Sequence, residues 1–257
     1  MGIFGSIKGL FTFSYNTLAD APALTTEQER GLALGAVYAL EAHLPINALT
    51  AEADAKTAAK VVRGPWGAVD TESARGVYQY LLGSGHRGIY QVLRPYLEEI
   101  GQATKRSEHV AIHQRATQEL PEAARRHGLD PEDVLRYLNG YTRTVYYVER
   151  SLPEKLPKSI AGWDAARVVQ VSRLFLDAGF IQPEEAWAAI AQAVQLARAE
   201  HASWAEFNGG FIFGRAFWQM GMAGADGEKI ERDVSTFQFE SERLLTREDS
   251  PWARLAW

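Results

Sequence analysis

The apolar positions of this chain recur at intervals of three and four almost from end to end, and no stretch alternates apolar and polar residues long enough to read as a half-buried strand. Residues 26–43 form the first predicted helix, with a Thr-x-x-Glu-like cap around Thr25. Residues 51–62 are alanine-rich and helix-prone. RGPWGAVD (63–70) reads as a turn, broken by Gly64, Pro65 and Gly67. A helix follows over 71–85, capped by Asp70 or Thr71 and stopped by Gly83 or Gly85. Residues 86–101 start another, which Pro95 is expected to bend or divide. Residues 105–128 are polar and helical. Residues 130–150 open with Asp130 as cap and Pro131 at the first helical position. SLPEKLPKSIAG (151–162), with two prolines, is the clearest connector.

Three helices in succession come next, over 162–179, 183–201 and 203–222. The first ends at Gly179, placed as a helix-terminating glycine. The second begins with Pro183 and carries acids in its first turn, which suits the helix dipole. The third begins with Ser203 and Glu206 as a capping box. Short connections make consecutive helices antiparallel neighbours, so the first and third are expected to run roughly parallel and to share the middle one as a partner. Within the third, SWAEFNGGFIFGRAFW (203–218) holds four of the eleven phenylalanines and two of the seven tryptophans. Trp204, Phe207, Phe211, Gly214 and Trp218 fall on one stripe. Gly209 and Gly210 in a helix interior cost about 1 kcal/mol each against alanine, which implies close approach by another backbone and a central position. The tail SPWARLAW ends on Trp257, a residue expected to dock on the body. The pattern predicts a single all-α domain, a compact multi-helix bundle over 25–257. Residues 1–24 are an N-terminal segment whose Phe4, Ile7, Leu10 and Phe11 dock on the core.

Bulk properties narrow the picture. A chain of 257 residues is long enough to bury a full core without disulfides or metals. It contains no cysteine, which removes disulfides, thiolate metal sites and cysteine nucleophiles and suits a cytoplasmic location. The formal net charge of −5 argues against binding to nucleic-acid backbone and would suit a partner with a basic surface. No run is long and apolar enough for a membrane span. MGIFGS formally fits a myristoylation pattern at Gly2 and Ser6, and residues 2–14 are a candidate for lying on a membrane surface.

Candidate chemistry is sparse. Arg215 is a permanent cation beside the aromatic stripe, and a buried guanidinium requires a partner. Asp164, in the first turn of its helix, is the expected partner. Arg167 follows three residues later on the same face, so an Arg–Asp–Arg cluster is expected, either as a structural ion-pair network or as an anion-binding site. His86, at a helix start beside Arg87, is a candidate general base or a histidine hydrogen-bonded in the core; no serine or cysteine nucleophile accompanies it. His109 and His113 share a helix face at zinc-ligand spacing, but a third ligand is not evident and the segment is polar, so a solvated face is expected. DAGFIQPEEAW lacks the acidic ladder of a calcium loop and reads as a helix stop and restart. GSGHRG lacks the lysine and hydroxyl of a phosphate loop. Neither a cofactor nor a metal is expected.

GWDAARVVQVSRLFLDAGFIQPEEAW and SWAEFNGGFIFGRAFW together resemble the signature of the YbeR/YbeU-like bacterial family of unknown function (domain of unknown function 1266). The matching positions are Trp163, Asp164 and Arg167, then Ala178 to Ile181 with Glu184 to Trp187, then Ser203 to Phe207, then Gly214, Arg215 and Trp218. Phe180 replaces the family's tyrosine. Upstream, Trp66, Gly67, Gly85, His86 and Arg87 fit a second element, with Ala68 departing from its isoleucine. The resemblance covers about residues 60–220, implies an all-helical bacterial domain, and brings no activity with it. The leading functional expectation is a non-enzymatic protein-binding module, toxin neutralisation of the immunity type being one form. The rival is an enzyme or small-anion-binding protein whose site gathers Asp164, Arg167, Arg215, His86 and Arg87.

Overall fold

The computed structural model describes residues 13–257. Among these residues every regular element is helical: α1 (Thr26–Leu34), α2 (Ala36–Glu41), α3 (Ala55–Trp66), α4 (Thr71–Leu82), α5 (Gly85–Gln102), α6 (Arg106–Arg126), α7 (Pro131–Val148), α8 (Ala161–Asp177), α9 (Pro183–Glu200), α10 (Trp204–Met220), α11 (Gly227–Thr246) and α12 (Pro251–Arg254). They form a compact all-α bundle around one continuous apolar core. The expected docking of Phe4, Ile7, Leu10 and Phe11, and the membrane-surface role of residues 2–14, fall on or next to residues outside the described range. Among the described residues no helix is long and apolar enough to cross a membrane.

Local chemistry sets most boundaries. Thr25 Oγ1 accepts from the Gln28 backbone and Gln28 returns the bond, which closes the box that opens α1. Asp70 and Ser73 do the same for α4. Ser203 accepts from Glu206 N at 3.1 Å, while the Glu206 carboxylate reaches one residue further back than a capping box requires, to Ala202 N at 2.9 Å. Gly179, at φ +74°, terminates α8 as expected.

Several expectations need correction. The first helix is two, α1 and α2, separated at Gly35, where the chain presses on Val169 and a Cβ would meet its Cγ1 at 2.6 Å. RGPWGAVD is not a turn throughout: α3 runs through Pro65 to Trp66 and turns only at Gly67, which has φ +62°. Pro65 removes one backbone donor and frees the carbonyl of Val61, an exposed residue where water can serve it. Pro95 likewise leaves α5 undivided. The segment after α10, not anticipated as helical, forms α11, with Asp226 as its cap.

The centre of the bundle is α8. Between Ala161 and Phe175 every residue except Gln170 is buried, and the helix packs on α1 to α5, α9 and α10. α10 lies against α8, α11 and α7, and makes no substantial contact with the α9 it was expected to share with α8. Small residues permit the α8–α10 crossing. A Cβ on Gly162 would overlap the Phe207 carbonyl, and one on Gly214 would overlap the Trp163 side chain. Gly210 sits against the Ser159 carbonyl and His201, whereas Gly209 meets nothing closer than Pro153 at 3.8 Å. The tail is docked: Trp257 Nε1 donates to the His201 carbonyl at 2.8 Å, and Trp252 Nε1 to that of Ala33 at 2.8 Å.

Candidate functional site

The N-termini of α5 and α8 meet at Asp164. This side chain is fully buried, at 0% exposure, and four donors converge on it. Its Oδ1 accepts from His86 N at 3.2 Å and from Arg167 Nη2; its Oδ2 accepts from Arg87 N at 3.2 Å and Arg87 Nη1 at 2.9 Å. Asp164 therefore caps α5 from a distant helix, satisfying backbone donors that the short Gly83–Ser84 link leaves unmet. Gly85 makes this approach possible. It has φ +53°, and a Cβ there would overlap the Asp164 carboxylate.

Arg87 is a second bolt. Besides Asp164, its guanidinium donates to the carbonyls of Leu81 and Leu82, both at 2.7 Å, and to that of Gly83. These are the orphan acceptors at the end of α4, so Arg87 ties that terminus to α5 and α8. Asp164 and Arg87 are spent on holding three helix ends together.

Arg215 does not pair with Asp164. It forms a two-pronged bond with Asp233 on α11, Nε to Oδ2 at 2.6 Å and Nη2 to Oδ1 at 2.7 Å, and Gln219 joins the same carboxylate at 2.6 Å. Burial works against the Arg215 charge, but the Asp233 carboxylate outweighs it and the pKa is raised. The missed signal lies in α11, whose buried Ile230, Val234, Phe237, Ser241 and Leu244 are spaced four, three, four and three. That stripe predicts a packed helix and places Asp233 beside it.

Three of the five sequence-singled residues, His86, Arg167 and Arg215, face one open cavity of about 490 Å3. Its walls are aromatic: Tyr38 on α2, Trp66 on α3, Tyr80 on α4, Trp163 on α8 and Trp218 on α10. Among the described residues the lining contains no carboxylate. Trp163 sits between the two cations, with the Arg167 guanidinium 4.7 Å and that of Arg215 5.6 Å from its ring centre. Trp66 covers Arg167 from another side at 5.5 Å. Trp163 Nε1 is a buried donor with no acceptor among the described residues.

The protonation of His86 follows from its partners. Its Nδ1 lies 3.0 Å from Arg167 Nη2 and 2.9 Å from the Tyr80 hydroxyl. A guanidinium can only donate, so Nδ1 accepts and the ring is neutral with its proton on Nε2. Burial, reinforced by the Arg167 charge, lowers the His86 pKa to about 3. The expected general base is thus a ring whose basic nitrogen is already engaged.

Charge does not balance in this cluster. Arg87 and Arg167 share the single carboxylate of Asp164, while Arg215 and Asp233 neutralise each other. Among the direct ion pairs three guanidiniums thus meet two carboxylates, and the Glu41 carboxylate acts on Arg215 from farther away. Arg167 Nη2 is used by Asp164 and His86, and Nε makes a long bond of 3.4 Å to the Trp163 carbonyl; Nη1 has no hydrogen bond within the described residues.

Elsewhere, His109 Nε2 meets the Ala103 carbonyl at 3.0 Å and His113 Nε2 meets Asn139 at 2.9 Å, so the pair is engaged separately. Among the described residues no group of three or more His, Asp and Glu side chains is placed to hold a metal ion.

Fold and site together define a class, an all-α bundle with a cationic, aromatic-walled cavity beside the N-terminus of its central helix. One family's sequence model, described as a protein of unknown function (DUF1266), matches residues 61–257. The chain belongs to that family. The matched range takes in α11 and Asp233 as well as the motifs on α8 and α10. No curated protein and no solved structure matches the chain.

Proposed function

We propose that this protein binds a small anionic molecule in the cavity lined by Arg167, Arg215 and His86. The observation that carries the reading is the guanidinium of Arg167, which shares the single Asp164 carboxylate with Arg87 and whose side chain is only 5% exposed, at the edge of a 490 Å3 space with no carboxylate among its described lining residues. A buried charge with only a shared partner is incompletely compensated, and an anion entering the cavity would complete the pairing. The space is within the range of small-molecule sites, mostly apolar with a few convergent polar groups. Binding is favoured over acid–base catalysis because the basic nitrogen of His86 already accepts from Arg167, with the Tyr80 hydroxyl also in contact with it. A protein-binding role, toxin neutralisation included, draws on the lack of nucleophile, metal and cofactor motifs and on the acidic net charge, and the cavity gives the small-anion reading more specific support.

The reading is tested by native mass spectrometry of the protein against a pool of small organic acids, alcohols and amines, with Trp218→Ala as control. Trp218 lines the cavity without touching Asp164, so this variant should fold and lose the bound species. Retention of anions only by the intact protein is the expected result. Preferential retention of neutral or cationic molecules would overturn the proposal.

A further inference from the structure

We infer that the occupant is a carboxylate carried on a planar aromatic body, a monoanion rather than a phosphate ester; the inference rests on the small-anion reading above. Charge is the first argument. At the Arg167 end two guanidiniums share the single Asp164 carboxylate, whereas Arg215 has Asp233 to itself and Glu41 acting from farther away. A carboxylate supplies one negative charge, whereas a phosphate monoester carries nearly two at neutral pH and would leave a partly enclosed site with a surplus anion.

The unspent donors are the second argument. Among the described residues Arg167 Nη1 makes no hydrogen bond, and Arg167 lines the cavity. Its free edge suits a group that only accepts, and a planar carboxylate matches a guanidinium edge. The walls are the third argument. Trp66, Trp163, Trp218, Tyr38 and Tyr80 present ring faces and edges, and Trp163 and Trp218 lie with centroids 5.7 Å apart and planes 32° from parallel. Flat rings are recognised by such surfaces through offset and edge-on packing. Beyond the cationic end the polar groups of the described lining are few and engaged: the Ser73 hydroxyl by Asp70 and the backbone beside it, the Tyr80 hydroxyl by His86, and the Tyr38 hydroxyl by Arg215.

The test compares matched probes by tryptophan fluorescence titration and isothermal calorimetry on the full chain: 2-naphthoate, 2-naphthyl phosphate, 2-naphthamide and octanoate. The expected result is 2-naphthoate binding at least about tenfold more tightly than each of the others, with Arg167→Gln bringing it down to the level of the amide. Because Arg167→Gln also removes a partner of Asp164, Trp66→Leu serves as a second variant; it should keep the far-ultraviolet dichroism of the parent and lose affinity for 2-naphthoate. Tighter binding of the phosphate overturns the carboxylate assignment and leaves the anion reading standing. Equal binding of octanoate overturns the aromatic body only. Equal binding of 2-naphthoate and 2-naphthamide to the parent protein, or no binding of any anion in the set, overturns this inference together with the reading beneath it.

Discussion

Four donors converge on the Asp164 carboxylate, two of them backbone N–H groups that open α5 and two of them guanidiniums that answer α4 and α8, so its removal acts on three helices at once. Asp164→Asn keeps the size but turns one acceptor oxygen into a donor that faces other donors. The expected loss is about 3–5 kcal/mol, as for a broken buried pair, read from the midpoint of urea denaturation. Stability within a few tenths of the parent would show that the backbone caps hold without the charge. At this scale the sequence was partly legible. Asp164, Arg167, His86 and Arg87 could be singled out because charged side chains inside apolar helices are rare. The pairing could not, since it depends on which helix ends meet. An Asp164–Arg215 pair follows from helix order alone, whereas the partner of Arg215 lies on α11.

At the scale of elements, α8 is unusual in being surrounded on nearly every side. Its Ala, Val, Ser and Gly residues are small enough to let neighbours approach from all directions. Aromatic density on residues 203–222 pointed to α10 as the centre, but large side chains reach into a core from one face, and it is the small-residue helix that becomes the axis. Starts and stops of helices were legible at Thr25, Asp70, Pro131, Pro183 and Gly179, because caps are local chemistry. Pro65 and Pro95 misled, because a helix tolerates a proline where another donor reaches the freed carbonyl, and water can donate at the exposed Val61. The burial of α8 also creates a liability. Arg173 is 1% exposed, and its Nε and Nη2 have no acceptor among the described residues. Burial lowers its pKa to about 10, against the opposing pull of Asp177, whose carboxylate is occupied by Thr50, Ala51 and Ala53. Arg173→Met, similar in length and apolar, should therefore raise stability by about 1–4 kcal/mol. Scanning calorimetry would show this as a higher Tm; a lower one would mean that the guanidinium is held by something other than the residues around it.

For the molecule as a whole, acid should act chiefly at the N-terminus of α8, where a buried and a half-buried histidine are held neutral. His201 Nε2 accepts from Gly162 N at 3.0 Å, and burial lowers its pKa to about 4. The same cause, with Arg167, lowers that of His86 to about 3. An unfolded histidine titrates near 6.5. Between that value and the folded ones the unfolded chain binds more protons than the native protein, so stability from both residues is fully present above pH 6.5 and falls as the pH drops. Each contributes a slope of up to about 1.4 kcal/mol per pH unit. Carboxylates with lowered pKa, such as Asp70 and Glu185, add their own loss only once the pH approaches their unfolded values near 4. The interval from about pH 6 to 5 therefore isolates the histidines. His201→Gln keeps a neutral acceptor within reach of Gly162 N and removes one titrating group. Urea midpoints measured across that interval should fall more steeply in the parent than in the variant, by about half of the histidine slope. Equal slopes would place the acid sensitivity outside the α8–α9 contact.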